Sequence, residues 1–210
     1  MVEIDHRQSP LAQLGMGGRI QETLGEAGIG LSERGFRAIL DLRVQLEHEP
    51  GARASFKAAT GIDLPETPNT FTAGEQVEAL WLGPNEWQIV VHDSREEAGG
   101  EWIARLREAM ADHFCAIVNV SHAQAIIGLT GPMAREVLER AVPLDMHPRS
   151  FAPGQVKQTL FGKHTGITLQ LRDETPDFDI YTRRSFPEYV WRYLEDCARG
   201  ACTTVAVLDG

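Results

Sequence analysis

The chain has 210 residues, 42% of them hydrophobic and 24% charged, and carries a net charge of −10. That composition supports a packed core in one domain or in two small fused halves. With the basic residues scattered, the acidic balance excludes nucleic acid and anionic membrane surfaces as partners.

The first residues, Met1-Val2-Glu3-Ile4-Asp5-His6, place acids where a secretory leader needs positive charge, and no run approaches the roughly 18 apolar residues of a membrane span. Cys115, Cys197 and Cys202 are an odd number without disulfide-framework spacing, so a reducing cytoplasm is the expected location.

Residues 1–36 are rich in glycine and lack sustained periodicity; they are expected to form an extended arm with at most a short helix, free or wrapped on a partner. A first α+β half is expected over residues 37–122. Arg37 to Leu46 alternates as a strand, and Ala52 to Thr60 is a short helix closed by Gly61. Ala79 to Leu82 and Trp87 to Val91 are strands around the turn Gly83-Pro84-Asn85. Glu101 to Met110 is an amphipathic helix with Glu101 and Arg105 paired at i,i+4, and Cys115 to Val120 is a strand.

A second half is expected over residues 123–210. Gln124 to Thr130 is a strand, and Pro132 suits the first turn of a helix that buries Ala134, Val137, Leu138 and Ala141. Val156 to Phe161, Gly166 to Leu171 and Phe178 to Arg183 are strands. Ser185 with Glu188 reads as a capping box opening a helix that buries Phe186, Val190, Tyr193, Leu194 and Cys197. Thr203 to Leu208 closes the half as a strand. The order β-α-β-β-α-β occurs twice at an offset of about 80 residues, with Ala79 to Gly83 laid over Thr159 to Gly162. The expected fold class is therefore α+β, two pseudo-symmetric ferredoxin-like halves with an N-terminal arm.

Candidate chemistry is sparse. Ser121 and His122 are adjacent and point to opposite faces of a strand, and no Gly-x-Ser-x-Gly elbow occurs, so a hydrolase site is not expected. His113, Cys115, Cys197 and Cys202 lack zinc-ligand spacing, and no metal is expected. Gly15-Met16-Gly17-Gly18 follows no strand, and Gly162-Lys163-His164 lacks the rest of a phosphate loop. Arg183 and Arg184 end a strand just before a helix. They suit either surface pairing with Asp177 and Asp179 or a carboxylate from a partner chain. Trp81 and Trp87 flank a turn, where an aromatic serves as core or as an interface anchor.

Asn119-Val120-Ser121-His122 followed by Leu129-Thr130-Gly131-Pro132-Met133-Ala134 resembles the folate-binding domain of the glycine-cleavage aminomethyltransferase, the T-protein. Within that superfamily the chain looks most like the gamma subunits of heterotetrameric sarcosine oxidase. The likeness is carried by His6 to Leu11 (with Arg7), Leu64-Pro65, Pro68-Asn69 and Trp81-Leu82-Gly83-Pro84-Asn85-Glu86-Trp87. It continues through Pro143-Leu144-Asp145, Gln158-Thr159-Leu160 and Tyr181-Thr182-Arg183-Arg184-Ser185-Phe186.

The resemblance implies a bacterial αβγδ complex that oxidises sarcosine to glycine, passes the methyl carbon to tetrahydrofolate and produces hydrogen peroxide. It implies FAD, FMN, NAD and tetrahydrofolate on the larger subunits and none of them on this chain. The implied partners are the alpha, beta and delta subunits, mainly alpha, with Arg7, Trp81, Trp87, Arg183 and Arg184 as candidate interface residues. The T-protein Asn-Asp pair is absent because Leu144 precedes Asp145, so catalysis is not carried over to Asp145. The expectation is a noncatalytic subunit. Its rivals are a free-standing folate-dependent one-carbon transferase using Asp145, Arg183 and Arg184, and a ferredoxin-like small-molecule sensor.

Overall fold

The computed structural model describes residues 8–15, 18–163 and 165–210. The described chain divides into two compact units, residues 36–122 and residues 8–35 together with 123–210.

The first unit contains β3 (Ala38–Val44), α1 (Ala52–Thr60), β4 (Phe71–Ala73), β5 (Val77–Gly83), β6 (Glu86–Val91), α2 (Ala98–Ala109) and β7 (Cys115–Asn119). Its sheet runs β4-β5-β6-β3-β7, with every neighbouring pair antiparallel. Leaving aside β4, this is the split-βαβ arrangement read from the element order. The period-2 alternation puts Leu40, Leu42 and Val44 on the same face as Trp87, Ile89 and Val91. Phe56 of α1 and Trp102 and Leu106 of α2 belong to the same core. Gly61 ends α1 in the left-handed region at φ 80°, where glycine carries no Cβ penalty.

The second unit contains β1 (Ile20–Gln21), β2 (Ile29–Glu33), β8 (Gln124–Thr130), α3 (Ala134–Glu139), β9 (Gln155–Phe161), β10 (Thr165–Leu171), β11 (Asp177–Arg183), α4 (Pro187–Gly200) and β12 (Val205–Leu208). Its sheet runs β1-β12-β2-β8-β11-β10-β9. Leu31 lies opposite Leu129 and Ile127 opposite Ile180, so the apolar faces of β2, β8 and β11 align beneath Val137, Leu138, Val190, Trp191 and Leu194.

Several expectations need correction. Where described, the arm segment is structured: it holds β1, β2 and a short 3-10 turn at Ala12–Leu14. β2 is inserted between β8 and β12, parallel to β12 and antiparallel to β8. Its signal, Ile29 and Leu31 alternating with Gly30 and Ser32, is only five residues long. Gly30 leaves room there for the Leu208 side chain, whose Cδ1 would lie 2.5 Å from an added Cβ.

The internal repeat is also off by one strand. By position in the fold, β5 corresponds to β10, whereas Thr159 to Gly162 belongs to β9, the counterpart of β4. The capping box does not form: Phe186 is the N-cap, without a side-chain bond, and Pro187 sets the start of α4. Trp191, absent from the expected stripe, is fully buried, while Phe186 and Tyr193 are only partly so. Glu101 pairs with Arg95 at 2.9 Å, and Arg105 lies over the Trp102 ring instead.

Candidate functional site

The β5–β6 turn brings Trp81 and Trp87 opposite each other, with a bulge between Trp81 and Gly83. Their fates differ. Trp87 is fully buried, and its Nε1–H donates to the Pro65 carbonyl at 2.8 Å. It fastens the Leu64-Pro65 loop to the sheet and offers no surface to a partner, which removes it from the candidate interface residues. Trp81 is half-buried and lines an open cleft of about 520 Å³ with Pro68, Pro84, Asn85, Arg53 and Glu66. A second cleft of about 480 Å³ shares Pro84 and Asn85 and is bounded by Val44, Phe114, Cys115 and Ala116.

Arg183 is exposed at the end of β11, opposite Gln124. Arg184 is half-buried, and its Nη2 donates to the Gln8 carbonyl at 2.6 Å. The expected pairing of these arginines with Asp177 and Asp179 gives way to another arrangement. Fully buried Asp179 accepts from Arg34 Nε at 2.8 Å and from Arg172 Nη2 at 2.7 Å, while Arg34 Nη2 reaches Asp177 at 2.5 Å. Burial alone would lower Arg34, but the two carboxylates outweigh it and hold the guanidinium above its ordinary range. Gly128 admits this network, since a Cβ there would sit 2.6 Å from Arg34 Nε. Sequence reasoning missed it because Arg34 and Asp179 are 145 residues apart. Arg7 lies outside the described residues.

Asp145 is a loop fastener. Its carboxylate accepts from the His147 N–H at 2.9 Å and from the Ser150 hydroxyl, and those bonds hold its pKa below the usual aspartate value. Ser121 donates to Asn119 Oδ1 at 2.6 Å and accepts from the Ile39 N–H at 2.9 Å, so its hydroxyl is engaged within the first unit.

A second unanticipated cluster joins Ser55, His113 and Glu49. Ser55 Oγ lies 3.1 Å from His113 Nε2, and His113 Nδ1 lies 3.0 Å from Glu49 Oε2. His113, with the Phe114 N–H, holds Glu49 below its ordinary pKa. The spacing is that of a nucleophile relay. However, Ser55 sits within α1, and its N–H donates to the Gly51 carbonyl. That is not the sharp strand-to-helix turn that presents a nucleophile. The three groups fasten the β3–α1 loop to the turn before β7. Burial and the nearby Glu49 push the Cys115 thiol pKa upward. Among the described residues no group of three or more His, Cys, Asp or Glu is placed to hold a metal ion, and no helix is long and apolar enough to cross a membrane.

The family model for the sarcosine oxidase gamma subunit matches residues 47–200. Sarcosine oxidase subunit gamma of Corynebacterium sp. strain U-96 is 29% identical over 193 residues, covering 90% of this chain and 89% of that one. The Arthrobacter sp. subunit gamma is 29% identical over 150 residues, 70% of each chain. Among solved structures, heterotetrameric sarcosine oxidase from Corynebacterium sp. U-96 in complex with pyrrole 2-carboxylate contains a similar chain. The TM-score is 0.78 at 27% identity, covering 94% of this chain and 97% of that one. The glycine cleavage system aminomethyltransferase T from Bartonella henselae shares the fold, with a TM-score of 0.66 at 14% identity, over 96% of this chain and 59% of that one.

Proposed function

The chain belongs to the sarcosine oxidase gamma subunit family, and on that premise we propose that it serves the heterotetrameric oxidase as a noncatalytic, assembly-supporting subunit. The observation that carries the reading is the near end-to-end likeness to a chain of a heterotetrameric sarcosine oxidase, with almost the full length of both chains covered. The chain is thus a subunit of an oxidoreductase complex. Its partners in this reading are the alpha, beta and delta subunits, with alpha the main contact and Trp81 and Arg183 among the side chains presented to it. FAD, FMN, NAD and tetrahydrofolate belong to the larger subunits, and the complex works in the cytoplasm of a bacterium.

Two of the three side chains that a folate-handling site would draw on here have other work. Asp145 closes its own loop and Arg184 holds the Gln8 carbonyl. They do not fit a pterin or its glutamate, and no folate step is assigned to this chain. The free-standing transferase reading is accordingly not favoured.

The test is purification of the tagged chain from its native host at low salt, with absorption spectra and subunit masses. A yellow assembly with three stoichiometric partners, active on sarcosine, is expected. A colourless protein that purifies alone overturns the reading.

A further inference from the structure

We propose that the cleft between the β5–β6 turn and the start of β7, with Phe114 at its lip, receives a bulky apolar side chain from a basic-flanked segment of a partner subunit. The inference rests on the subunit reading above and adds the place of docking and the chemistry of what docks.

Phe114 is 90% exposed, far more than any other large apolar residue described. Its neighbours in the fold do not need it: Ile117 of β7 supplies the core contact, and His113 makes the polar fastening to Glu49. A large aromatic left almost wholly in water at the lip of a concave, partly apolar surface marks an interaction site rather than a scattered surface residue.

Among the described residues β7 is an edge strand, paired with β3. Arg107 Nη2 donates to the Ile117 carbonyl at 2.9 Å, which occupies an acceptor that an added strand would need. The surface therefore suits insertion of a side chain rather than addition of a strand. Val44, Pro84 and Ala116 supply apolar walls for it, and the cleft continues across Pro84 and Asn85 to half-buried Trp81.

Charge decides the occupant. Arg43 is shared by Asp41 and Glu86 at 3.2 and 2.7 Å, and Arg53 is forked onto Glu66 at 2.6 and 2.9 Å. Glu47 adds an exposed carboxylate. Along the two clefts Glu47, Glu66 and Glu86 outnumber Arg43 and Arg53, whose guanidiniums are already engaged, and Asp41 stands behind Arg43, so the rim is negative. A second copy of this chain, itself at −10, would bring like charge to that rim, and so would an anionic lipid surface. A partner segment with Lys or Arg beside a Leu, Met or Phe complements both the floor and the rim.

The test measures binding of the purified full-length chain to oxidase prepared without it, at about 50 and about 300 mM salt. Phe114→Glu is expected to weaken Kd by about 30-fold or more, as an anchor residue does. Leu160→Glu, a matching exposed apolar change in the other unit, is expected to leave Kd within about threefold. Circular dichroism and Tm of both variants should equal those of the wild type, because each side chain is largely in water. Glu47→Gln with Glu86→Gln should flatten the salt dependence. Wild-type affinity in Phe114→Glu overturns the docking site, and an unchanged salt slope in the double variant overturns the basic-flanked partner. A folded wild-type chain that does not bind the oxidase overturns the subunit reading itself, which separates the two failures.

Discussion

Asp179→Asn probes the network that the second unit builds on the β8–β11 side of its sheet. The carboxylate is fully buried and accepts from Arg34 Nε at 2.8 Å and from Arg172 Nε and Nη2 at 2.9 and 2.7 Å. Asparagine preserves the volume but removes the charge, leaving two guanidiniums whose side chains are only 22% and 24% exposed. Breaking a buried ion pair by removing one partner costs about 3–5 kcal/mol. Arg34 keeps Asp177, and both guanidiniums reach some water, so the lower end applies, about 3 kcal/mol. For a chain of this length that lowers Tm by about 6–12 °C. Asp177→Asn, at a side chain that is 31% exposed and holds a single guanidinium, costs only about 1 kcal/mol. Urea unfolding gives the magnitudes, and hydrogen exchange resolved over β8 and β11 places the loss in the second unit. A loss in Asp179→Asn below about 1 kcal/mol, or equal to that of Asp177→Asn, would refute the reasoning.

Three further outcomes are expected. Trp87→Phe removes the indole bond to Pro65 and leaves a void, costing about 1–3 kcal/mol by chemical denaturation; a neutral result would show that the Leu64-Pro65 loop is held by other contacts. Gly131→Ala places a Cβ 2.6 Å from the Gly28 carbonyl at a φ of 112°, and should cost about 2 kcal/mol or more in the same assay. Glu49, held below the ordinary glutamate range by His113 and the Phe114 N–H, stabilises the fold above about pH 4.3. That contribution is lost as pH falls through its lower folded value, so Glu49→Gln should flatten the acid limb of a Tm–pH profile.

The comparison of sequence with structure separates by range. Gln124 to Thr130 and Ala52 to Thr60 with Gly61 were legible as a strand and a capped helix, because period-2 alternation and a left-handed cap are set by residues next to one another. The ordered motifs from Trp81-Leu82-Gly83-Pro84 through Gln158-Thr159-Leu160 to Tyr181-Thr182-Arg183 were likewise sufficient to indicate the family that the comparisons show. Less survived at the candidate site. Trp81 and Trp87 look alike in sequence, yet one is fully buried with its indole bonded to the Pro65 carbonyl and the other is half-exposed in the cleft. Arg183 and Arg184 stand nearest Asp179 in the chain, yet Arg34, from the segment read as an arm, takes its carboxylate.

By itself, then, the sequence determined the family and, β4 apart, the strands and helices from residue 37 onward with their order. Only the tertiary structure decided that β2 enters the sheet between β8 and β12, that Asp179 is neutralised from the far end of the chain, and that Phe114 is left in water beside a cleft. The physical reason is that alternation and caps are local properties of the backbone. Burial and charge pairing depend on which strands become neighbours, and sheet order is settled only when distant segments compete for the same edge.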